Sequence, residues 1–465
     1  MIFAKDKTRK VLLIHGYSDA GKSFGAWWSK LKDRGFPAEQ VNIANYISLN
    51  NEITIPDIGE GLGRAIEDLD WPANQPFDAI VHSTGMLVMR AYLCNDTTRS
   101  QNLKHLVGLA PATWGSPLAQ MGRSWLGALV RGNHQFGPDF LNAGDRVLDG
   151  LELGSKFTWD LAHRDLLGPA PQFTTSPQSP YVSVFIGNQG YDGIRELINQ
   201  PGTDGTVRWA GCGLNTRKIT VDLRRKGAAA RATISPWADT RLSVPMFAVP
   251  GKNHTTLLQQ PEDELADRVV DFLNVTSADD FNKWLRDTSQ WSGPALQVMK
   301  KDKDGPHDGW QQFVIRVADE YGDPVPDYVV DLFKANPDGL ADHELRAIEV
   351  QNFDLDVHAY KTDQSFRCFH VRLPQGIMAN GAGSLWLRLT ASSGTELIAY
   401  QGYGAAVTRI TEESPVVLDI SHFGNPPDTL FHPFTTTLVE ILINREPLPL
   451  QGQTRLLTLS DALPG

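Results

Sequence analysis

Over its first 275 residues the chain alternates short β-branched apolar runs with stretches of helical apolar spacing. No other feature constrains its fold as much. Strands separated by helices build a parallel sheet, because a crossover helix is what returns the chain to the same end of the sheet. Residues 11–15, 41–45, 77–82, 103–110, 181–186 and 244–249 read as strands. The spacing predicts helices over 25–34, 57–69 and 84–94. A closing helix is expected in "QQPEDELADRVVDFL", where Pro261 stands near the start and acids fill the first turn. The expectation for this part is an α/β fold with a mostly parallel sheet.

At 465 residues the chain is long for one core, so at least two domains are expected. Residues 116–180 interrupt the alternation with an insert rich in Gly, Leu and Trp, too long for an ordinary connection. Within it "SWLGALV", "DRVLDGLELGS" and "FTWDLAHRDLL" carry helical spacing. From about residue 290 the texture changes to short alternating runs broken by Asp, Gly and Pro, as in "GWQQFVIRVADEYGDPVPDYVVDLF". That pattern predicts an all-β, sandwich-like C-terminal domain. The expected division is residues 1–280 and 290–465.

Charge and cysteine content narrow the function classes. With 43 Lys and Arg against 54 Asp and Glu, the net charge of −11 disfavours a nucleic-acid binder. The single basic cluster, Arg224, Arg225 and Lys226, is short enough to be a solvated turn. Cys94, Cys212 and Cys368 are three in number and lie in no Cys or His cluster, so neither a disulfide framework nor a zinc site is indicated. "DAGKS" at 19–23 lacks the spacing of a phosphate-binding loop. No cofactor and no metal are expected. "MIFAKDKTRK" runs directly into "VLLIHG" with no leader-like apolar segment, and no run reaches the length of a membrane span. The expected location is cytoplasmic, with export by a route that needs no leader left open.

The chemistry centres on "IVHSTGMLVMR". Ser83 stands between an apolar strand and the start of a helix, with His82 before it and Gly85 two places after. A serine hydroxyl becomes a useful nucleophile when a base removes its proton and hydrogen-bond donors receive the oxyanion. On a tight strand-to-helix turn Ser83 points outward, and the helix N-terminus aims the Thr84 backbone N–H at that oxyanion. "LLIHGYSDAGKSF" complements this: Gly16 permits close backbone approach, and Tyr17 after it offers a second N–H. The plain alternatives are a polar turn closing a buried strand at Ser83 and a Gly turn after an N-terminal strand at Gly16.

Together these segments resemble the α/β-hydrolase superfamily, in its lipase and esterase branch, over residues 10–275. "VLLIHGY" is similar to the oxyanion strand, "VHSTGMLVMRAYL" to the nucleophile turn and its helix with Arg90, and "GLAPATWGSPLA" to the strand and turn before a lid. Val81 departs from the family's G-x-S-x-G, placing a β-branched side chain where the turn packs closely. The resemblance implies a base after the last strand, where His254 lies in "VPGKNHTTLLQQPE", and an acid between Ser83 and His254. Asp204 in "PGTDGTV" resembles the family's acid-bearing Asp-Gly-x-Val turn, and Asp192 in "GYDGI" is the alternative. The insert then reads as a lid or a fixed cap, with Trp125, Leu126, Leu129, Leu151, Leu153 and Trp159 as its apolar wall.

The implied function is a serine hydrolase (lipase or carboxylesterase) acting on esters of apolar acyl groups. A phospholipase or acyltransferase with the same residues stands beside it. So does a non-catalytic binding protein that uses the C-terminal β-domain, whose partner the sequence does not indicate.

Overall fold

A computed structural model describes residues 9–17, 19–69, 71–72, 74–95, 101–119, 144–169, 172–173, 179–224, 232–234, 244–334, 346–347, 355–376, 385–395, 397–403, 407–420, 430–447, 456–457 and 459. The chain divides into two compact units, the first comprising 1–217, 236–312 and 433–436, and the second the remainder.

Six parallel strands form the sheet of the first unit: β1 (Lys10–Ile14), β2 (Val41–Ala44), β3 (Phe77–His82), β4 (Leu103–Leu109), β5 (Tyr181–Gly187) and β6 (Met246–Val249). Their order across the sheet is β2-β1-β3-β4-β5-β6. Leu13, Ile14, Ile80, Val107 and Phe185 are fully buried. Strands covered on both faces need the continuous apolar runs seen in the sequence. Among the described residues the α-helices are α1 (Gly25–Asp33), α2 (Ile55–Glu67), α3 (Gly85–Asn95), α4 (Asp145–Leu151), α5 (Lys156–Asp165), α6 (His254–Gln259), α7 (Asp263–Leu273) and α8 (Ala278–Val298). α2 begins in a capping box, Thr54 and Asp57 each bonding the other's backbone N–H.

Residues 280–290, where the change in sequence texture suggested a domain boundary, lie inside α8. Its residues Phe281, Trp284, Thr288, Ser292 and Ala295 recur at three and four and form one buried face. Trp284 packs its ring on Phe272 and Phe247 at centroid separations of 4.6 and 5.2 Å. After α8 the chain passes from the first unit to the second at 312/313, within the strand Gly305–Asp319.

The second unit is β-rich. One antiparallel sheet includes Leu355–Ala359, Phe366–Pro374 and Thr436–Glu446; another includes Asp327–Lys334, Leu385–Ser392 and Val416–Asp419. Phe313, Ile315, Val371 and Leu373 from the first sheet share one core with Tyr328, Leu387, Leu389 and Val416 from the second. Two sheets closing on one core is the sandwich arrangement.

Part of the insert joins the core of the first unit. Val147, Leu148, Leu151 and Leu161 lie in its main apolar cluster, and Leu153 and Trp159 are buried. Trp125, Leu126 and Leu129 lie outside the described residues. Arg90 on α3 and Asp165 on α5 have wholly buried side chains and pair twice, Nε to Oδ2 at 2.6 Å and Nη2 to Oδ1 at 3.0 Å. Arg90 Nη1 also donates to the Thr113 carbonyl at 2.9 Å. Removing one member of a buried ion pair leaves the other charge desolvated and uncompensated. Asp165→Ala is therefore expected to lower unfolding stability by about 3–5 kcal/mol in a denaturant titration. A change within the error of the wild-type midpoint would show that α5 is not anchored through this pair.

Candidate active site

The sites singled out in sequence lie on segments that leave the carboxyl ends of the parallel strands, the edge where open α/β sheets bind ligands. Ser83 follows β3 directly with φ of 53°, in the left-handed region that a residue with a Cβ rarely adopts. Backbone bonds hold it there. Ser83 N–H donates to the Leu109 carbonyl at 3.2 Å, and the Ser83 carbonyl accepts from Met86 and Ala112 N–H at 3.2 and 3.0 Å. The turn forms with Val81 in place: Val81 is fully buried and sits beside Gly108 of β4.

Two glycines permit the close approach of neighbouring segments. A Cβ on Gly85 would fall 2.6 Å from the Ile14 carbonyl oxygen, so only glycine lets α3 start against the end of β1. A Cβ on Gly16 would lie 2.8 Å from the Ser83 Cβ and 3.3 Å from its Oγ. The loop carrying Gly16 and Tyr17 thus runs directly beside Ser83. Tyr17 is buried, and Thr84 opens the first turn of α3, where backbone N–H groups lack intrahelical acceptors.

His254 is the first residue of α6. Asn253 caps that helix by accepting from Thr255 and Thr256 N–H at 3.1 and 2.9 Å. The cap fixes where His254 projects, and Asp204 meets it twice. The His254 backbone N–H donates to the Asp204 carbonyl at 3.0 Å, and ring Nδ1 lies 3.0 Å from Asp204 Oδ2. Asp204 is wholly buried, and its Oδ1 accepts from Thr206 and Val207 N–H at 3.0 and 2.8 Å. Three directed bonds leave the carboxylate one orientation. Asp192 is exposed and caps nothing with its side chain.

Three further residues, to which the sequence assigned no role, stand at this site. Tyr191 Oη lies 2.6 Å from Thr206 Oγ1 and 3.2 Å from Thr255 Oγ1, tying the turn of Asp204 to the residue after His254. His15 donates from Nδ1 to the Gly16 carbonyl at 2.8 Å and stacks on Tyr46, with ring centroids 4.1 Å apart. His82 is buried, lies 3.1 Å from the His254 carbonyl through Nε2, and has its ring 4.7 Å from the His254 ring. Burial lowers the pKa of His82 far below its ordinary value, and the charge of a protonated His254 lowers it further. His15 is lowered too, chiefly by burial.

Both rings are held neutral, so the unfolded chain binds more protons than the folded one below the ordinary histidine value of 6.5. The stability carried by the neutral rings is complete above 6.5 and is lost as the pH falls from there through their depressed folded values. Urea titrations from pH 7.5 to 4.5 are expected to show stability falling below about 6.5, by up to ~1.4 kcal/mol per pH unit for each ring. His82→Gln should flatten that slope. An unchanged slope would mean that His82 is not the group being charged.

Among the described residues no cluster of His, Cys, Asp and Glu is arranged to hold a metal ion, and no helix is long and apolar enough to cross a membrane. No protein-family model matches the chain, and no curated protein sequence does. Solved structures do. The chain overlays on phospholipase PlaB from Legionella pneumophila with a TM-score of 0.75 at 20% identity, covering 98% of each chain. A structure of PlaB in complex with thio-NAD gives the same TM-score at 21% identity, again over 98% of each chain. The overlay on lipase BlEst2 from Bacillus licheniformis, in mature form, reaches only 0.38 at 12% identity, over 58% of this chain and 94% of that one, too low to carry an argument. At about a fifth identity, what is shared with PlaB is the fold, across both units.

Proposed function

Taking the α/β-hydrolase fold of this chain as the premise, we propose that it is a serine hydrolase cleaving carboxylic esters of apolar acyl groups. The observation that carries the reading is the bond between His254 Nδ1 and buried Asp204, on segments leaving the same sheet edge as Ser83 with its left-handed backbone. In this reading His254 Nε2 takes the Ser83 proton as Oγ attacks the ester carbonyl. The backbone N–H groups of Tyr17 and Thr84 receive the oxyanion, and Asp204 stabilises the imidazolium. His254 then protonates the leaving alkoxide, and a water activated by the same base releases the acyl group. Exposed Ile47, on the loop past β2, and Leu197, in the short 3-10 helix Gly193–Ile198 past β5, support an apolar substrate at that edge.

A second reading narrows the ester to the acyl ester of a phospholipid. It is favoured by the overlay on a phospholipase along nearly the whole of both chains.

The test is a panel of p-nitrophenyl esters of increasing chain length, with phosphatidylcholine and phosphatidylglycerol micelles alongside and a fluorophosphonate probe for the nucleophile. Labelling together with turnover of longer esters is expected. Release of fatty acid from the micelles at a rate above that of simple esters would select the phospholipid reading. A folded protein that is neither labelled nor active on any ester would favour the non-catalytic alternative.

A further inference from the structure

His82 is a buried titratable group at the site that the mechanism leaves unused. It precedes Ser83 in the chain, yet its imidazole reaches across to the segment carrying the base, 172 residues later. A carbonyl oxygen can only accept, so the 3.1 Å contact with the His254 carbonyl requires the proton on His82 Nε2. The other nitrogen, Nδ1, is then a lone pair. It is buried without a hydrogen-bond partner, and a Cβ on Gly16 would lie 3.3 Å from it. A ring in that tautomer is neutral, and it stands 4.7 Å from the ring that becomes an imidazolium during turnover.

We propose that His82 is a positioning residue for His254: its Nε2–H holds the His254 carbonyl and so seats the base against the turn that bears Ser83. The inference rests on the hydrolase reading above. The main chain of His254 is bracketed, with its N–H donating to the Asp204 carbonyl at 3.0 Å and its C=O accepting from His82 at 3.1 Å. Asp204 fixes the ring's tautomer and rotation but belongs to a different loop from the nucleophile. His82 is the direct link between the nucleophile's own turn and the base. Because His82 and Ser83 are consecutive, a shift of one moves the other. The bond therefore converts the rigidity of the β3–α3 turn into a fixed separation between Ser83 and His254. Proton transfer needs that separation near hydrogen-bond length, and an error on the order of 1 Å can cost about 100-fold in rate.

Two amides separate this role from simple core filling. The Gln carboxamide reaches the position of Nε2, whereas the shorter Asn carboxamide reaches only that of Nδ1. Active sites are first counted by fluorophosphonate titration, and kcat and KM are then measured on a p-nitrophenyl ester, with thermal unfolding in parallel. His82→Asn is expected to lower kcat per titrated site roughly 10- to 100-fold, with KM changed less than about twofold. His82→Gln is expected to restore most of that loss. His82→Phe keeps an aromatic ring against His254 without a donor and carries the same expectation as Asn, so any variant of the pair that folds decides the question. The proposal is overturned if Asn or Phe keeps wild-type kcat per site, or if Gln loses as much as Asn. Failure of the hydrolase reading looks different, because the wild-type protein itself would then show no titratable serine.

Discussion

Ser83→Ala is expected to abolish fluorophosphonate labelling and to lower kcat on esters on the order of 10⁶-fold, leaving the unfolding midpoint near that of wild type. The size of the effect follows from what the hydroxyl does. Without an oxygen to acylate, the base and the oxyanion donors can only promote direct attack by water, which retains a small residue of catalysis. The fold should tolerate the change. The bonds that hold the turn, to Leu109, Met86 and Ala112, are all made by the backbone. The left-handed φ of 53° strains alanine about as much as serine, since both carry a Cβ. A folded Ser83→Ala protein with wild-type turnover would end the nucleophile assignment.

Asp204→Asn is expected to lower kcat about 10⁴-fold, while Asp192→Asn leaves it within about twofold. The asparagine Oδ1 can still accept from the Thr206 and Val207 N–H groups, so the turn keeps its shape. Its NH₂ then faces His254 Nδ1, and a donor there must be met by a lone pair. The ring proton moves to Nε2, where it blocks acceptance of the serine proton. Asp192 is exposed, so its substitution removes no such contact. Comparing the two variants by kcat, with circular dichroism to confirm folding, separates the aspartates. The reverse pattern would transfer the acid to Asp192 and leave the role of Ser83 standing.

Both aspartates stand before a glycine in a turn after β5, Asp192–Gly193 and Asp204–Gly205, and in sequence only the resemblance of Asp204 to an Asp-Gly-x-Val turn sets them apart. Register and packing do. The Asp204 turn is tied by Tyr191 to Thr206 and Thr255, which brings its carboxylate to the start of α6. Arg90 was conspicuous in the helix after Ser83, but its partner Asp165 lies 75 residues on, in the insert. The same holds for α8: its apolar face is helical in spacing, yet only the aromatic cluster around Trp284 assigns it to the first unit.

What the sequence by itself determined is what periodicity and capping encode. It specified the six strands of the parallel sheet and the strand-to-helix junction at Ser83. These signals are local because backbone hydrogen bonding and side-chain alternation act over a few residues. Only the tertiary structure decided which carboxylate meets His254, which acid neutralises Arg90, where the chain divides into units, and that His82 touches His254. Those contacts join residues 50 to 172 positions apart. They depend on strand order and loop path, which bring β1, β3, β5 and β6 to one edge of the sheet and which no local window of the chain contains.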